Sequence, residues 1–358
     1  MLITLGLMSG TSLDGIDAAL VTTDGESVQD FGQAATYPYA PAFRARLRSV
    51  LGGQGPVAEV EEELTHAHAD AVLALLDKAS LTPGDVDLIG FHGHTILHRP
   101  DEGRTWQIGD GALLARLTGI AVVNDFRSAD VAAGGQGAPL VPVLHRALAK
   151  SLPRPLAILN LGGVGNVTWL GEGDAMLAFD TGPGNALIDD WALARTGQPV
   201  DMDGALARQG RVDRQAVTRF AAHPFFSRRP PKSLDRDDFA AFAASLVAGL
   251  NDTDGAATLT AMTVTAAALA KGWFPQPATR WLVCGGGRHN PAIMAALAHE
   301  LAVPVEPVEN VGWNGDALEA QAFGLLAARS SLRRPITFPE TTGARISSIG
   351  GVFHPRIG

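Results

Sequence analysis

A unit of strand, glycine-rich turn and returning strand occurs twice in this 358-residue chain, and no other feature restricts its fold as much. Residues 2–8 form an apolar run that breaks at Ser9-Gly10-Thr11-Ser12, and residues 16–23 return to the turn Asp24-Gly25. Residues 156–161 repeat the run into Gly162-Gly163-Val164-Gly165-Asn166, with 167–170 returning. Apolar runs joined by small-residue turns read as hairpins, and recurrence of one such unit points to duplication. Apolar periodicity adds helices at 41–51, 60–80 and 111–117, then at 142–151, 186–196, 214–222, 239–250, 255–272, 291–301 and 316–329. Further short strands are expected at 86–90, 120–124, 176–179 and 281–284. A chain this long exceeds the ~250–300 residues at which single cores stop growing. The expectation is α/β: two similar domains, each a sheet with helices, and a cleft between them, where ligands ordinarily bind. The Gly/Pro-rich stretch 130–142 puts the boundary near 126–134. The domains are therefore expected to be 1–128 plus 336–358, the tail returning to the first, and 129–335.

Composition removes several functional classes. The net charge is −9, and the basic clusters, Arg228-Arg229 with Lys232 and Arg333-Arg334, are short and read as solvated loops. Nucleic acid, which calls for a basic face, is not an expected partner. Cys284 is the one cysteine, so no intrachain disulfide forms, in keeping with a reducing compartment. The first residues carry no Lys or Arg, unlike a secretory signal. The apolar stretch 256–273 is interrupted by four threonines and Lys271, which reads as a buried Ala-rich helix, not a membrane span. A soluble cytoplasmic protein is expected.

Four sequence features could carry chemistry. Gly10-Thr11-Ser12-Leu13-Asp14-Gly15-Ile16-Asp17 has glycines at P-loop spacing, but Ile16 and Asp17 stand where that loop has Lys and Ser/Thr, so it is no Walker A loop. Its hydroxyls and tight-turn N–H groups suit phosphate oxygens, and Asp14 and Asp17 suit a metal-bound water; an ordinary hairpin turn is the alternative. Gly162 and Gly163, directly after a strand, admit close approach of a backbone or a ligand. Asp180, after the apolar 176–179 and before Thr181-Gly182-Pro183-Gly184-Asn185, is placed for a general base; the alternative is a cap for the next helix or turn. Finally Gly285, Gly286 and Gly287 admit a flat ring against the backbone, with Arg288 and Asn290 placed to stack on it or hydrogen-bond to it. Cys284 reads as a small core residue.

His92, His94 and His98 lie around a glycine, but no cysteine and no His-Glu-x-x-His helix supports zinc, so structural or substrate contacts are expected. The chain has no Gly-x-Ser-x-Gly elbow and no Gly-x-Gly-x-x-Gly after its first strand, which disfavours that type of serine hydrolase and a Rossmann dehydrogenase.

These turns resemble the phosphate-1, phosphate-2, catalytic-acid and adenosine motifs of the actin/Hsp70/sugar-kinase superfamily. Four strings are similar to those of the anhydro-N-acetylmuramic acid kinase family: residues 7–17, 123–130, 179–185 and Gly312-Trp313-Asn314-Gly315-Asp316-Ala317-Leu318-Glu319-Ala320. The resemblance covers essentially the whole chain. It implies a duplicated two-domain actin-like ATPase (ribonuclease H-like) fold with an interdomain cleft. It also implies an activity: ATP- and Mg²⁺-dependent phosphorylation of O6 of 1,6-anhydro-N-acetylmuramic acid, coupled to opening of the anhydro ring by water. The product, N-acetylmuramic acid 6-phosphate, belongs to cell-wall recycling.

Carried to this chain, the resemblance makes Asp180 the base, residues 10–17 with Gly162 and Gly163 the phosphate loops, and 285–290 the adenosine loop. Gln107, Arg127 and Glu319 are the candidate sugar contacts. Arg127 suits the lactyl carboxylate bidentately; a salt bridge to Asp125 or Asp130 is its alternative. A homodimer is implied as well. Met8 and Asn160 stand where the superfamily usually has Asp, which leaves the metal ligands unassigned, and His94 stands where the family pattern suggests Gln. A kinase of another small sugar or carboxylate, and an ATP-driven conformational switch, are the competing readings.

Overall fold

A computed structural model of the chain describes residues 1–10 and 13–356; Thr11 and Ser12 of the first glycine turn lie outside the described residues. The chain divides into two compact units, Met1–Ser151 with Ala317–Gly358, and Leu152–Asp316.

In the first unit the strands are β1 (Leu2–Ser9), β2 (Gly15–Thr23), β3 (Val28–Pro38), β4 (Leu88–Arg99), β5 (Arg104–Ile108) and β6 (Val122–Asn124). In the second they are β7 (Leu156–Leu161), β8 (Val164–Leu170), β9 (Met176–Pro183), β10 (Arg280–Cys284) and β11 (Val305–Pro307). β12 (Val352–His354) is the returning tail. The first sheet runs β12-β6-β4-β1-β2-β3 with β5 on β4, and the second β11-β10-β7-β8-β9. In both, three antiparallel strands in chain order are followed by parallel pairing of the first of them to a later strand, β1 to β4 and β7 to β10, and of that to another, β4 to β6 and β10 to β11. This shared order is that of a duplicated actin-like, ribonuclease H-like α/β fold, the duplication expected from the repeat and the actin-like type from the resemblance.

Each unit has its own core. In the first, Leu5, Leu7, Ile89 and Phe91 of the sheet pack with Val60, Leu64, Val72 and Leu75 of the helix Val57–Ala79. Their three-, four- and eight-residue spacing turns one stripe inward, and each such side chain contributes roughly 1.5–3 kcal/mol on full burial. In the second, Leu159, Leu161, Trp281 and Val283 pack with Phe179, Leu259 and Met262. The Ala-rich segment is the helix Asp252–Ala270, capped by Asn251 and buried along most of its length. No helix of the described residues is long and apolar enough to cross a membrane.

The unit boundaries differ from the expected 128/129 and 335/336. Residues 129–151 and 317–335 pack with the first unit. The helix Leu318–Ser331 lies on β1, β2 and β4, and the helix Pro142–Leu148 packs on it in turn. Glycine makes this possible: a Cβ on Gly6 would collide with the Ala320 carbonyl, and one on Gly90 with that of Phe323. The tail does return, β12 pairing antiparallel with β6. Two strands also outrun the sequence reading. β4 continues through Gly93, φ +72°, because its second half pairs with β5. β3 is an edge strand, mostly exposed, without the alternation that marks a half-buried one.

Candidate active site

In the second unit the sheet register brings the glycine loops and Asp180 onto one line. Cys284 pairs with Asn160, Asn160 with Asn166, and Asn166 with Asp180, across β10, β7, β8 and β9. Residues directly opposite in a sheet point to the same face. β9 runs on to Pro183, so Asp180 lies inside a strand, not at its end, and the next helix, Ala186–Thr196, begins six residues after it, which sets aside the helix-cap alternative. Asp180 is 8% exposed. Its Oδ2 accepts the Leu234 N–H at 2.8 Å, and its own N–H donates to the Lys232 carbonyl at 2.9 Å.

Gly162 and Gly163 are tied to the turn after Asp180. The Gly162 carbonyl accepts the Asn185 N–H at 2.7 Å, and the Gly163 carbonyl the Gly184 N–H at 2.9 Å. The Asn185 amide donates to the Leu161 carbonyl at 2.8 Å. Gly285, φ +74°, and Gly287 close the same cluster: a Cβ on either would strike Leu161, with Asn160 or Asn185 beside it.

Arg288 and Asn290 are engaged in the protein's own structure. Arg288, its side chain 3% exposed, donates to Glu309 at 2.9 Å and to the Gly285 carbonyl at 3.0 Å, and pairs with Asp316 at 2.8 Å. Asn290 caps the helix Pro291–Leu301, accepting the Ala292 N–H at 3.0 Å. Arg288 is therefore the buried strut of a surface recess of about 600 Å³ lined also by His289, Pro307, Glu309, Trp313, Asn314 and Asp316. Glu309 and the 312–316 string thus join the 285–290 loop, a connection sequence spacing did not reveal.

In the first unit the turn at Gly10 is braced from below. The Gly10 carbonyl accepts the Leu13 N–H at 3.1 Å, and Leu13 takes φ +61°. Tyr39 donates to Ser9 Oγ at 2.7 Å, and Ser9 Oγ is hydrogen-bonded to His94 Nδ1 at 2.9 Å. His94 Nε2 has no hydrogen-bond partner among the described residues. Burial lowers the His94 pKa to about 4, so the ring is neutral. Ser9 and Tyr39 escaped sequence reading; only Ser9, beside the motif, gave a signal. Gly15 packs against the Tyr37 carbonyl, and Ile16 is buried in the core. Asp14 is exposed beside the turn, with Arg44 at 3.5 Å. Asp17 accepts from Thr36 and pairs with Met8 across β1 and β2.

The sugar-contact candidates fall near the outer part of β4. Arg127 donates through Nε at 3.1 Å and Nη2 at 3.0 Å to His92 Nε2, and through Nη1 to the Gly137 carbonyl at 2.6 Å. His92 therefore carries its proton on Nδ1, toward the Gly93 carbonyl, and burial followed by the Arg127 charge pushes its pKa well below the usual value. Asp130, the expected alternative partner, accepts from Gly137 and Thr342. Gln107 donates to Thr105 at 2.9 Å and Thr95 at 3.2 Å. Glu319 lies one helical turn before Phe323, whose ring packs on His92 at 4.6 Å, and residues four apart share a helix face. Among the described residues no three His, Cys, Asp or Glu side chains are placed to hold a metal, and the His92, His94 and His98 rings serve structural contacts.

The family described as anhydro-N-acetylmuramic acid kinase matches residues 2–356. An anhydro-N-acetylmuramic acid kinase of Paramagnetospirillum magneticum is 62% identical, covering 99% of each chain. One of Rhodospirillum rubrum is 57% identical, covering 98% of this chain and 94% of its own. Among solved structures, the activator of the 2-hydroxyisocaproyl-CoA dehydratase from Clostridium difficile with bound ADPNP aligns with 92% of this chain and 97% of its own, at 13% identity and a TM-score of 0.45. On the strength of its full-length relatives, this chain belongs to the anhydro-N-acetylmuramic acid kinase family.

Proposed function

We propose that the chain uses ATP to phosphorylate O6 of 1,6-anhydro-N-acetylmuramic acid while water opens the anhydro ring, giving N-acetylmuramic acid 6-phosphate for cell-wall recycling. The observation that carries the residue assignment is the row Cys284–Asn160–Asn166–Asp180, which sets a buried carboxylate in register with the glycine loops of its own unit. Asp180 takes a proton from the water that attacks the anomeric carbon. The bond from that carbon to O6 breaks, O6 forms its bond to the γ-phosphorus, and ADP leaves. Asp180 keeps the proton until the product departs.

The turn at 10–17 and the turn at Gly162-Gly163 each offer N–H groups to phosphate oxygens, and Gly285–Gly287 with the Arg288 recess receives the adenosine. Arg127, Gln107 and Glu319 contact the sugar. Positioning of this kind supplies most of the acceleration in phosphoryl transfer. Mg²⁺ on nucleotide phosphates needs only one or two protein carboxylates, and the exposed Asp14 fits that need. The metal, when bound, neutralises phosphate charge. The assembly is a homodimer, and the compartment a reducing cytoplasm, which the single cysteine supports.

The test is ADP release with Mg-ATP in the presence of the anhydro sugar, ring-opened N-acetylmuramic acid, glucose or no sugar. A high rate with the anhydro sugar alone is expected. Equal rates with the open sugar would remove the coupled ring opening, and rates independent of any sugar would favour a nucleotide switch.

A further inference from the structure

Asp180 is gripped by a segment that no glycine motif marks. Its N–H donates to the Lys232 carbonyl and its Oδ2 accepts from the Leu234 N–H, so residues 232–234 run beside β9 and bracket the acid. Lys232 itself fixes that segment. The sequence places it in a basic, solvated loop, but it is 4% exposed. Its Nζ lies 4.3 Å from the centre of the Phe225 ring, 5.7 Å from Trp273 and 5.9 Å from Phe179. It donates to the Phe225 carbonyl at 2.9 Å and the Phe226 carbonyl at 3.4 Å. A buried ammonium is costly unless compensated, and carbonyls, aromatic faces and a nearby carboxylate compensate it.

Burial lowers the Lys232 pKa to about 8; Arg228 acts in the same direction, and Asp180 opposes both. The influence is mutual: a carboxylate that favours the cation is itself favoured in its ionised form by that cation.

We propose that Lys232 is a positioning residue for Asp180: its buried ammonium anchors residues 232–234 against β9 and places a positive charge near the carboxylate, holding it ionised and in one orientation. The proposal rests on Asp180 being the base and names the group that prepares it. Lys232 sits in an aromatic box of the protein's own side chains.

The experiment measures kcat and KM for ATP and for the anhydro sugar across pH 5–9 in the wild type, Lys232→Met and Lys232→Arg, with Asp180→Asn as control. Lys232→Met should lower kcat by roughly 10- to 100-fold, leave KM for ATP within about two-fold, and move the acid limb of kcat to higher pH, since loss of the cation raises the carboxylate pKa. Lys232→Arg should recover most of the rate and return the acid limb toward its wild-type position. A wild-type rate and acid limb in Lys232→Met would overturn the proposal. So would a lowered rate with an unmoved acid limb and no recovery in Lys232→Arg, because the residue would then be only structural. If Lys232→Met fails to fold, Lys232→Gln, which keeps a donor but no charge, decides: a raised acid limb supports the proposal and an unmoved one overturns it. If Asp180→Asn keeps the wild-type rate, the base assignment falls first, whatever Lys232 does.

Discussion

Burial holds His68, His94 and His98 at pKa values of about 4, and His145 at about 3. These rings are neutral in the folded chain and titrate near 6.5 once unfolded. Above pH 6.5 they are neutral in both states. As the pH falls through 6.5, the unfolded chain takes up protons that the folded chain refuses, so stability drops until about pH 4 for three of these rings and about pH 3 for His145. The free energy of unfolding in urea should fall between pH 7 and pH 5, and His94→Gln should make that fall shallower by about one proton. A flat profile in the wild type would refute the neutral network under the first turn.

Arg288 gives a second residue-scale prediction. Arg288→Ala releases Glu309 and Asp316 and loosens the recess. KM for ATP should rise by about ten-fold, near ~1.4 kcal/mol, with kcat little changed; an equal loss in kcat would place Arg288 in the chemistry. At this scale, legibility followed chemistry. Asp180 was readable because an acid ends an apolar run. Lys232 was not, because a lysine between arginines and prolines reads as surface, and only the fold brings Phe225, Trp273 and Phe179 around it. Nor could spacing tell that Asn290 caps a helix or that Arg288 is an internal strut.

Among the elements, the helix Leu318–Ser331 decides most. It was legible as a helix but not as part of the first unit, because its sheet-facing partners are glycines far away in sequence. Gly6→Ala would push a methyl group into the Ala320 carbonyl and should destabilise the protein by at least about 2 kcal/mol. Gly249→Ala, where nothing lies within 4 Å, should stay within about 0.5 kcal/mol. Thermal melting of the two variants checks this, and equal melting points would contradict the close approach. Strands buried on both faces, such as β7, were read to the residue, since continuous apolar runs mark them. The edge strand β3 and the far half of β4 were missed, since pairing and not pattern defines them.

Over the whole molecule, the duplication was legible because both hairpins keep their glycine turns, yet the two sheets are not used alike. In register, Asp180 of β9 corresponds to Thr36 of β3, and the acid of that row in the first sheet is Asp17, one strand over on β2. Composition puts the boundaries at 128/129 and 335/336 while packing divides the chain at 151/152 and 316/317, because composition marks loops and not packing. The base in the second sheet is the centre of the account, and one measurement bears on it most directly. Single-turnover phosphorylation of the anhydro sugar by Asp180→Asn should be slower than wild type by roughly 10²–10⁴-fold, with ATP and sugar affinities, measured calorimetrically, changed only a few-fold. A rate within ten-fold of wild type at unchanged affinities would contradict the assignment of Asp180 as the base.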